Sequence, residues 1–509
     1  MAKKPDEMED IDRIAEMYKG KTLFVTGGTG FLGKVLIEKI LRSCSDFKKI
    51  YLLVRDKKGK DPQQRLREDV FKNQLFDRVK KEKGEDIIKK VVAIPGDVSQ
   101  PELGISSENR ELLQKEVEYI FHMAATIRFD EQLKKAVLLN TRGTKLMLEL
   151  AKGCKKLQAF AHLSTAYCHL RERILYEKTY PPPADPDKVI RTCEWMSEEA
   201  VDIITPQILG DYPNSYAFTK ALSEGLVSEQ MDKIPILLLR PSIVIPVWKE
   251  PIPGWTDNIN GPTGLLIGAG KGVLRTMYCN GDGYGDFIPV DITANGILIA
   301  TWDFVTYKQR KIYHLSSSAE HQVSWDELIN IGRDVINNRI PLNGVAWYPG
   351  GSMKSSKTLH LICFYLFHIL PALLVDALLI VLGYKPVLMR VQKRISKGFE
   401  VFEYYANNQW DFNNDETLSS RSLLNPLERE IYKCDGDGMD YYDYFTDCVR
   451  CARLYLLKEP DDTIPAAKRH MRVMWWVDKI FKFSFWALIV YYLYSKLGHI
   501  LVNWYTGHT

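Results

Sequence analysis

Residues 21–33 read KTLFVTGGTGFLG, and the organisation of the rest of the chain follows from this stretch. The short apolar run 22–25 predicts a β-strand that ends in a glycine-rich turn. Residues 31–41 then predict an α-helix, and residues 49–54 predict a second strand. Because strand, turn, helix and strand follow one another at this spacing, the stretch predicts a dinucleotide-binding βαβ unit.

Each glycine at positions 27, 30 and 33 has a separate predicted role. Gly27 makes the tight turn, Gly30 lets the backbone approach a pyrophosphate, and Gly33 lets the helix pack close to the strand. The free N–H groups at the start of the helix then face the phosphates, where the helix dipole favours negative charge. The residues predicted to bind the cofactor here are Gly27, Thr29, Gly30, Phe31, Leu32 and Gly33.

The end of the second strand predicts which dinucleotide is used. An NAD site favours Asp or Glu there, since a carboxylate binds the ribose 2′-hydroxyl. This chain has Arg55, whose guanidinium suits a 2′-phosphate through paired, charge-assisted hydrogen bonds. We therefore predict NADPH, although Asp56, one place later, leaves a weaker NAD interpretation open.

From residue 22 to about residue 244, short apolar strands alternate with helical segments, which predicts a Rossmann-like, doubly wound parallel sheet of the α/β class. Further strands are expected at 91–94, 119–123, 159–163, 236–240 and 313–316. A cofactor would lie across the carboxyl ends of such strands. The residues predicted to bind it there are Asp97, Val98, Ala124, Ala125, Pro241 and Ile243. Asp97 either accepts a hydrogen bond from the adenine amino group or simply caps a turn.

Tyr216 and Lys220 are four residues apart in a predicted helix, so their side chains share one face. We expect the ammonium group of Lys220 to lower the pKa of the Tyr216 phenol and also to bind the cofactor, through a hydrogen bond to the nicotinamide ribose. A hydroxyl from Thr165, or from Ser164, is expected to hold the substrate oxygen. Together these residues predict an acid that protonates an oxygen while a hydride reaches the attached carbon. The alternative is an ordinary amphipathic helix with a surface lysine.

Composition limits the classes of function. The chain has 509 residues, enough for two or three domains, and a net charge of +4, too small to indicate a nucleic-acid partner. The nine cysteines are scattered, and Cys448 and Cys451 form a lone C-x-x-C. This pattern predicts a reducing, cytosol-facing compartment and no metal site.

The C-terminal third contains two long apolar segments, at residues 358–383 and 483–502. The first is long enough to span a bilayer, but Pro371, His368 and Asp376 interrupt it, so a shallow hairpin or an apolar flap over a lipid channel is the alternative. Basic residues that suit anionic headgroups follow it, namely Arg390, Lys393, Arg394 and Lys397. The second segment is flanked by aromatic and basic residues. We therefore predict a membrane lipid partner.

Several motifs together resemble a known family. They are TGGTGFLG at 26–33, HMAA at 122–125, STAY at 164–167, YAFTK at 216–220 and NQW at 408–410. With these motifs the chain resembles the alcohol-forming fatty acyl-CoA reductases of animals, including insects, within the extended short-chain dehydrogenase/reductases. The resemblance covers nearly the whole length. It implies a charged N-terminal helix at 1–20, an NADPH-binding reductase domain at 21–320, a C-terminal region at 321–482 and a membrane-anchoring segment at 483–503.

The resemblance also implies the chemistry. A long-chain acyl-CoA would be reduced by two NADPH to a primary alcohol, with release of CoA. Tyr216 would be the proton donor, Lys220 the residue that tunes its pKa, and Thr165 or Ser164 the oxygen-positioning hydroxyl. Family members reside at the endoplasmic reticulum or the peroxisome, and we predict the endoplasmic reticulum membrane with the catalytic domain in the cytosol. A homodimer is left open.

Other interpretations of the same sequence remain. The fold also serves sterol and sugar-nucleotide dehydrogenases or epimerases, which would not need an apolar C-terminal third. A second alternative is an acyl-CoA reductase that stops at the aldehyde. A third is a catalytically inactive membrane scaffold, against which the intact Thr165, Tyr216 and Lys220 argue.

Overall fold

The computed structural model describes residues 11–56, 59–317, 320 and 322–506, with side chains up to residue 496. By its packing the chain divides into two compact units, each discontinuous in sequence. Unit 1 comprises Met1–Asn258, Cys279–Trp325 and Ser396–Asp440, and unit 2 comprises Ile259–Tyr278, Asp326–Ile395 and Tyr441–Thr509. Of the predicted N-terminal helix, residues 1–10 lie outside the described residues, and the remainder forms a helix over Arg13–Tyr18.

The strands of the described residues are β1 (Thr22–Thr26), β2 (Lys49–Val54), β3 (Val91–Pro95), β4 (Tyr119–His122), β5 (Ala159–Leu163), β6 (Ile174–Leu175), β7 (Ile236–Pro241), β8 (Ile243–Ile245), β9 (Thr276–Tyr278), β10 (Phe287–Pro289), β11 (Ile312–Leu315), β12 (Ser352–Lys354) and β13 (Asp411–Phe412).

The α-helices are α1 (Arg13–Tyr18), α2 (Phe31–Ser43), α3 (Pro62–Arg65), α4 (Asp77–Lys83), α5 (Ser107–Glu116), α6 (Leu133–Ala136), α7 (Gly143–Gly153), α8 (Pro186–Trp195), α9 (Glu198–Leu209), α10 (Ser215–Ser228), α11 (Pro262–Gly270), α12 (Val290–Tyr307), α13 (Trp325–Asp334), α14 (Lys357–Phe364), α15 (Leu370–Val381), α16 (Leu388–Ala406), α17 (Asp415–Ser422), α18 (Pro426–Ile431), α19 (Tyr441–Cys451) and α20 (Ile464–Thr506).

The main sheet of unit 1 has seven strands in the order β11-β7-β5-β4-β1-β2-β3. Every neighbouring pair in it is parallel. The chain starts in the middle with β1, runs outward to β3, and then returns to place β4 on the other side of β1. This reversal between β1 and β4 is the topological switch point of a doubly wound sheet, so the predicted fold class is confirmed.

The strands of this sheet are apolar on both faces because helices cover both. Strands β1, β4 and β5 are buried along their whole length, which is the pattern of a parallel sheet inside an α/β unit. One core cluster joins Phe24, Ile120, Phe160 and Leu238 from the sheet to Phe218 from α10. The packing therefore holds the start of α10 near the sheet edge where the predicted site residues lie.

Unit 2 has its own core, to which Ile331, Val335, Val449 and Met471 contribute. In it, α14, a π-helical segment over Tyr365–Ile369 and α15 run on as one helix over Lys357–Val381. Among the described residues this is the one helix that by length and composition alone could cross a membrane. The 43-residue α20 contains the whole second apolar segment, of which the side chains from residue 497 onward lie outside the described residues.

Candidate active site

The glycine-rich turn between β1 and α2 is closed by its own backbone. The amide of Gly30 donates to the carbonyl oxygen of Gly27 at 2.9 Å, and Gly27 has a φ of +76°, which favours glycine. A Cβ on Gly33 would lie 2.4 Å from the Gly27 carbonyl oxygen. These positions agree with a turn at Gly27 and close packing at Gly33.

Gly28, to which the sequence analysis gave no role, is also required by the packing. A Cβ there would lie 2.2 Å from Cδ1 of Leu52 and 2.7 Å from Cδ1 of Ile37. The turn therefore packs directly on β2 and α2. The paired glycines were the available signal, but the fold of the neighbouring strand is needed to assign the reason.

Helix α2 presents its N-terminus at this turn. Gly30 is the N-cap, it is exposed, and it has no side chain that could cap the first turn. The first N–H groups of the helix are thus open to an anion, and the helix dipole favours a phosphate there. Phe31, beside this N-terminus, stacks on Trp255 with ring centroids 5.7 Å apart. The loop fits the pyrophosphate of a dinucleotide.

Hydrogen bonds join the ends of β1 and β4 at the switch point. The hydroxyl of Thr26 lies 2.8 Å from Nδ1 of His122 and accepts from the amide of Ala124 at 3.2 Å. Ala124 and Ala125, the two predicted residues at this end, are half-buried. Small side chains therefore line the edge of the sheet directly beside the glycine-rich turn.

The remaining predicted cofactor residues lie at the ends of other strands. Val98 follows β3 and is buried against α7, where a Cβ on Gly143 would lie 3.0 Å from the Val98 carbonyl oxygen. Pro241 ends β7, and Ile243 begins β8 and is half-buried. The carboxyl ends of parallel strands share one edge of the sheet, so these residues belong to the same edge as the glycine-rich turn.

Arg55 and Asp97 face each other beyond the ends of β2 and β3. The Arg55 side chain is 60% exposed, and its Nη1 lies 3.9 Å from Oδ2 of Asp97. Oδ1 of Asp97 accepts from the amide of Ser99 at 2.9 Å and from its hydroxyl at 2.8 Å. Asp97 thus has the turn-capping role that the sequence left as one of two alternatives. The Arg55 guanidinium is largely exposed beyond the end of β2.

The predicted catalytic residues come together where α10 meets the end of β5. Asn214 caps α10 by accepting from the amide of Ala217 at 2.9 Å, which places Tyr216 in the first turn. Thr165 lies beside the Tyr216 phenol, and its hydroxyl acts to lower the pKa of that phenol. Nζ of Lys220, one turn later, donates to the carbonyl oxygen of Leu163 at 2.7 Å. Two elements distant in sequence therefore bring Thr165, Tyr216 and Lys220 into one site, in which Thr165 and Lys220 are buried and Tyr216 is half-buried.

Ser164, the other hydroxyl considered, points elsewhere. Its Oγ donates to Sγ of Cys168 at 3.8 Å, and its amide donates to the Leu239 carbonyl oxygen at 2.8 Å. Of the two neighbouring hydroxyls, that of Thr165 is the one that acts on the pKa of the Tyr216 phenol.

The expected effect of Lys220 on the Tyr216 pKa is wrong for this structure. Burial raises the pKa of Tyr216, the charge of Cys168 adds to the rise, and the hydrogen bond with Thr165 opposes it. Burial also lowers the pKa of Lys220 to about 8. The sequence could not reveal how dry the site is, and desolvation disfavours both charged forms. Tyr216 is therefore a neutral phenol that can donate its proton.

Glu224, one turn after Lys220 on α10, forms a buried ion pair with Arg240 of β7. Nη2 and Nε of Arg240 donate to the two carboxylate oxygens of Glu224 at 2.7 and 3.0 Å. Nε2 of His169 lies 2.8 Å from Glu224 Oε2, and Sγ of Cys168 donates to Oε1 at 3.2 Å. Cys168, His169 and Glu224 could in principle hold a metal ion, but the guanidinium already satisfies both carboxylate oxygens and would repel a cation.

The charges in this cluster stabilise one another. Burial opposes ionisation of Glu224, but Arg240 and His169 hold the pKa of its carboxyl well below the usual value. Burial likewise disfavours the His169 imidazolium, yet the charges and hydrogen bonds of Cys168 and Glu224 raise the pKa of His169 to about 10. Sequence reasoning missed this cluster, since residues at 168, 169, 224 and 240 carry no common motif.

Two aromatic residues beside Tyr216 were also missed. The ring of Phe129 packs edge-on against Tyr216 with centroids 5.5 Å apart, and the ring of Tyr405 lies 5.6 Å from Phe129. The side-chain Nδ2 of Asn214 donates to the Tyr405 hydroxyl at 2.9 Å. The N-cap of the catalytic helix is thereby tied to α16, a helix that belongs to unit 1 from Ser396 onward. Nothing in the local sequence around Tyr405 indicates this contact.

Comparisons with known proteins identify the family. A family model described as "Male sterility protein", an NAD-binding domain, matches residues 25–297, and a second model with the same description matches residues 367–459. The chain is 39% identical to fatty acyl-CoA reductase 1 of Rattus norvegicus over 463 residues, covering 90% of this chain and 89% of the rat protein. The chain belongs to the fatty acyl-CoA reductase family.

Other relatives agree with this assignment. Fatty acyl-CoA reductase 1 of Homo sapiens is 38% identical over 90% of this chain and 89% of its own length. Fatty acyl-CoA reductase wat of Drosophila melanogaster is 35% identical over 96% of this chain and 95% of its own length. The family resemblance derived from the motifs is therefore confirmed.

Solved structures agree on the fold. The terminal R domain of the myxalamid PKS-NRPS pathway has a TM-score of 0.58 and 19% identity, covering 87% of this chain and 93% of that chain. The reductase domain of a nonribosomal peptide synthetase from Mycobacterium tuberculosis has a TM-score of 0.58 and 17% identity, covering 89% and 97%. At these identities the similarity describes the fold alone.

Proposed function

We propose that this chain reduces a long-chain fatty acyl-CoA to the primary alcohol with NADPH, through two successive hydride transfers and release of CoA. The observation that carries the proposal is that Thr165, at the end of β5, meets Tyr216 and Lys220 of α10, where Nζ of Lys220 donates to the Leu163 carbonyl oxygen at 2.7 Å. A neutral donor beside the edge of a dinucleotide-type sheet suits a reaction in which negative charge develops on a carbonyl oxygen. Membership of the fatty acyl-CoA reductase family supplies the substrate class.

The side chains divide the chemistry between them. The nicotinamide supplies the hydride. Tyr216 and Thr165 donate hydrogen bonds to the thioester oxygen, which stabilises the tetrahedral oxyanion as it forms. When the C–S bond breaks, the electron pair leaves with the CoA sulfur, which takes up a proton, and an aldehyde remains. In the second reduction Tyr216 gives its proton to the oxygen as hydride reaches the same carbon.

Lys220 has a different role from the one expected. Its ammonium group is anchored on the Leu163 carbonyl oxygen and lies beside the strand end that carries Thr165. A positive charge at this place favours the oxyanion that develops on the substrate. Because burial lowers the pKa of Lys220 to about 8, this charge is present at neutral pH and is lost in mildly alkaline solution.

NADPH rather than NADH is the proposed reductant. The support is the exposed guanidinium of Arg55 beyond the end of β2, where a carboxylate would favour NADH. Asp97 lies 3.9 Å from this guanidinium and helps to orient it, while its other oxygen is held by Ser99. A phosphate would accept hydrogen bonds from the remaining N–H donors of Arg55.

We further propose that the protein attaches to the endoplasmic reticulum membrane from the cytosolic side. The support is the apolar helix over Lys357–Val381 and the exposed aromatic and apolar side chains of α20, among them Trp476, Phe483 and Trp486. An insoluble substrate chain and product explain why such a reductase would work at a membrane. The homodimer stays a prediction.

Deuterium transfer tests the proposal. NADPH deuterated at the transferred position of C4 is incubated with the full chain and a series of acyl-CoA chain lengths, and the products are analysed by mass spectrometry. Alcohol with two deuterium atoms on C1, and one CoA released per two NADPH oxidised, is the expected result. An aldehyde with a single deuterium would replace the alcohol assignment with an aldehyde-forming reductase. No transfer to any acyl-CoA would overturn the proposed function.

A further inference from the structure

The helix over Lys357–Val381 is buried along one side only, and three of the five buried residues on that side are polar. Its buried residues recur every fourth position, and we call them the inner stripe: His360, Phe364, His368, Ala372 and Asp376. A strict spacing of four drifts around a regular α-helix of 3.6 residues per turn. The π-helical segment Tyr365–Ile369 widens the helix in the middle and so helps to keep the stripe on one side.

The polar residues of the inner stripe form hydrogen bonds with other parts of unit 2. Nδ1 of His360 lies 3.2 Å from the hydroxyl of Thr276. Nε2 of His368 accepts from the amide of Arg275 at 3.0 Å, and its Nδ1 lies 3.1 Å from Oε1 of Gln392. His368, which interrupts the apolar segment in the sequence, therefore attaches the helix to the rest of unit 2, as His360 does about two turns earlier.

The end of the helix is tied down in the same way. The Asp376 carboxylate accepts from the amides of Val387, Leu388 and Met389 at 3.0, 2.9 and 2.8 Å, so it caps the start of α16. The stripe is thus held by unit 2 near its beginning, its middle and its end. A helix that crossed a bilayer would have to carry these contacts, with their backbone partners, into the hydrocarbon.

The opposite side of the helix is exposed and almost wholly apolar. We call it the outer face, and its exposed large side chains are Leu359, Leu361, Ile362, Tyr365, Leu366, Phe367, Leu370, Leu373, Leu374, Val375, Leu378, Ile380 and Val381. Leu374 is 64% exposed and Val381 is 82% exposed. A contiguous exposed apolar surface made of this many large side chains marks an interaction site.

Charge identifies the occupant. Arg390, Lys393 and Arg394 follow the helix directly at the start of α16, and all three are exposed. Tyr384, in the connection between the two helices, is also exposed. Basic side chains and tyrosine beside an apolar face suit the headgroup level of an anionic lipid surface.

We propose that the helix over Lys357–Val381 does not cross the membrane but lies in the plane of its surface. Its outer face contacts lipid, and its inner stripe packs on the rest of unit 2. The inference rests on the proposed membrane attachment and specifies how this segment takes part in it. An in-plane helix of this kind buries its apolar face about 5–10 Å into the headgroup and acyl boundary. It keeps both of its ends on the cytosolic side.

Depth measurements on the full chain test this directly. Cysteines are introduced one at a time on the outer face (Leu359→Cys, Leu366→Cys, Leu374→Cys), in a background with Cys363→Ala and Cys434→Ser that retains acyl-CoA reduction. Each is labelled with an environment-sensitive fluorophore, and the protein is bound to vesicles that contain anionic lipid and lipids brominated at known depths. The control is each labelled variant bound to vesicles of the same composition without brominated lipid, where its fluorescence should remain unquenched.

The depth profile separates the alternatives. An in-plane helix predicts strong quenching at one shallow depth for all three positions, whereas a spanning helix predicts that Leu366 is much deeper than Leu359. Equal, shallow quenching supports the proposal, and a depth profile that deepens toward the middle overturns it. Absence of quenching together with cross-links between copies at Leu374→Cys would instead assign the outer face to a second copy of the chain.

Topology gives a second, independent readout. Ser355→Cys and Lys385→Cys place reactive thiols on either side of the helix, at exposed positions. In sealed membranes from cells that express the full chain, both should react with a membrane-impermeant maleimide from the cytosolic side. Protection of one of them until detergent is added would show a spanning helix. If the protein binds no membrane at all, the attachment falls with the inference, while acyl-CoA reduction is unaffected.

Discussion

Tyr216 illustrates how a short motif predicts a residue but not its electrostatics. The Y-x-x-x-K spacing on α10 and the hydroxyl at the end of β5 were sufficient to predict which side chains meet. The direction of the Tyr216 pKa was not predictable, because it depends on burial by residues such as Phe129 and Tyr405 that are distant in sequence. The phenol is consequently a protected donor and not an easily ionised one.

The Glu224–Arg240 pair should contribute strongly to stability. Glu224→Gln removes the carboxylate and leaves the guanidinium of Arg240 buried without its charge partner, and such losses cost about 3–5 kcal/mol. We expect a lower free energy of unfolding, measured by urea denaturation at pH 7. Glu229→Gln, at the exposed end of the same helix, should leave it unchanged.

The same pair predicts a pH dependence. Because the folded-state pKa of Glu224 is lowered, its stabilisation is complete above the ordinary value of 4.5 and is lost as pH falls through the folded value. The difference in unfolding free energy between the parent and Glu224→Gln should therefore shrink as the solution is acidified below about pH 4.5. A difference that stayed constant into acid would contradict the ion-pair account.

Arg55 should determine the choice of dinucleotide. Arg55→Ala removes a charge-assisted contact to the 2′-phosphate worth about 1.5–3 kcal/mol, so the Kd for NADPH should rise about tenfold or more while that for NADH changes little. Arg171→Ala, an exposed arginine paired with Asp211, is the matched control. An unchanged ratio of the two affinities, measured by fluorescence titration, would remove Arg55 from the cofactor site.

At the scale of elements, strands were predicted more reliably than packing. β2 and β5 have the predicted bounds, and β1, β3, β4 and β7 differ by one residue at their ends. Runs of buried apolar residues that end at Gly, Pro or Asp give a clear signal in a parallel sheet. The inner stripe gave no such signal in the sequence. Its spacing of four residues does not match the 3.6-residue period of a regular helix, and the sequence does not show the π-helical segment that accommodates this spacing.

The packing of the glycine-rich turn on α2 can be tested with one methyl group. In Gly33→Ala the new Cβ would lie 2.4 Å from a backbone oxygen of the same turn, so the loop must move away from its phosphate-binding shape. We expect weaker NADPH binding by at least tenfold, roughly 1.4 kcal/mol, together with a lower Tm. Gly398→Ala places a methyl group in open space within α16 and should be neutral or slightly stabilising. Equal behaviour of the two variants would show that close packing at Gly33 is unimportant.

At the scale of the whole molecule, each compact unit is assembled from separate parts of the sequence. Residues 396–440 pack in unit 1 although they follow the apolar helix of unit 2. For example, Trp410 and Phe412 join Tyr167 in one buried cluster. Composition and periodicity describe segments along the chain, so they could not indicate which segments return to an earlier unit.

Membrane attachment should be divided between two segments. Truncation after Phe481 removes the part of α20 whose described side chains are exposed and apolar nearly all round, so less protein should sediment with membranes. The remaining attachment should weaken in high salt, since screening reduces the attraction of Arg390, Lys393 and Arg394 for anionic lipid. Quantitative fractionation at low and high salt measures both effects. Full-length protein that stays in the supernatant would contradict membrane attachment altogether.

The most direct measurement of the central claim is alcohol formation by Tyr216→Phe. The substitution keeps the ring against Phe129 but removes the proton that the phenol gives to the substrate oxygen. Folding and NADPH binding, followed separately by fluorescence, should survive, while the rate of alcohol formation from a long-chain acyl-CoA should fall by about 10²–10⁴-fold. Lys220→Met should give a similar loss, and the double variant should be little worse than either alone. A Tyr216→Phe enzyme that binds NADPH and makes alcohol at nearly the parent rate would contradict the assignment of this helix to the active site.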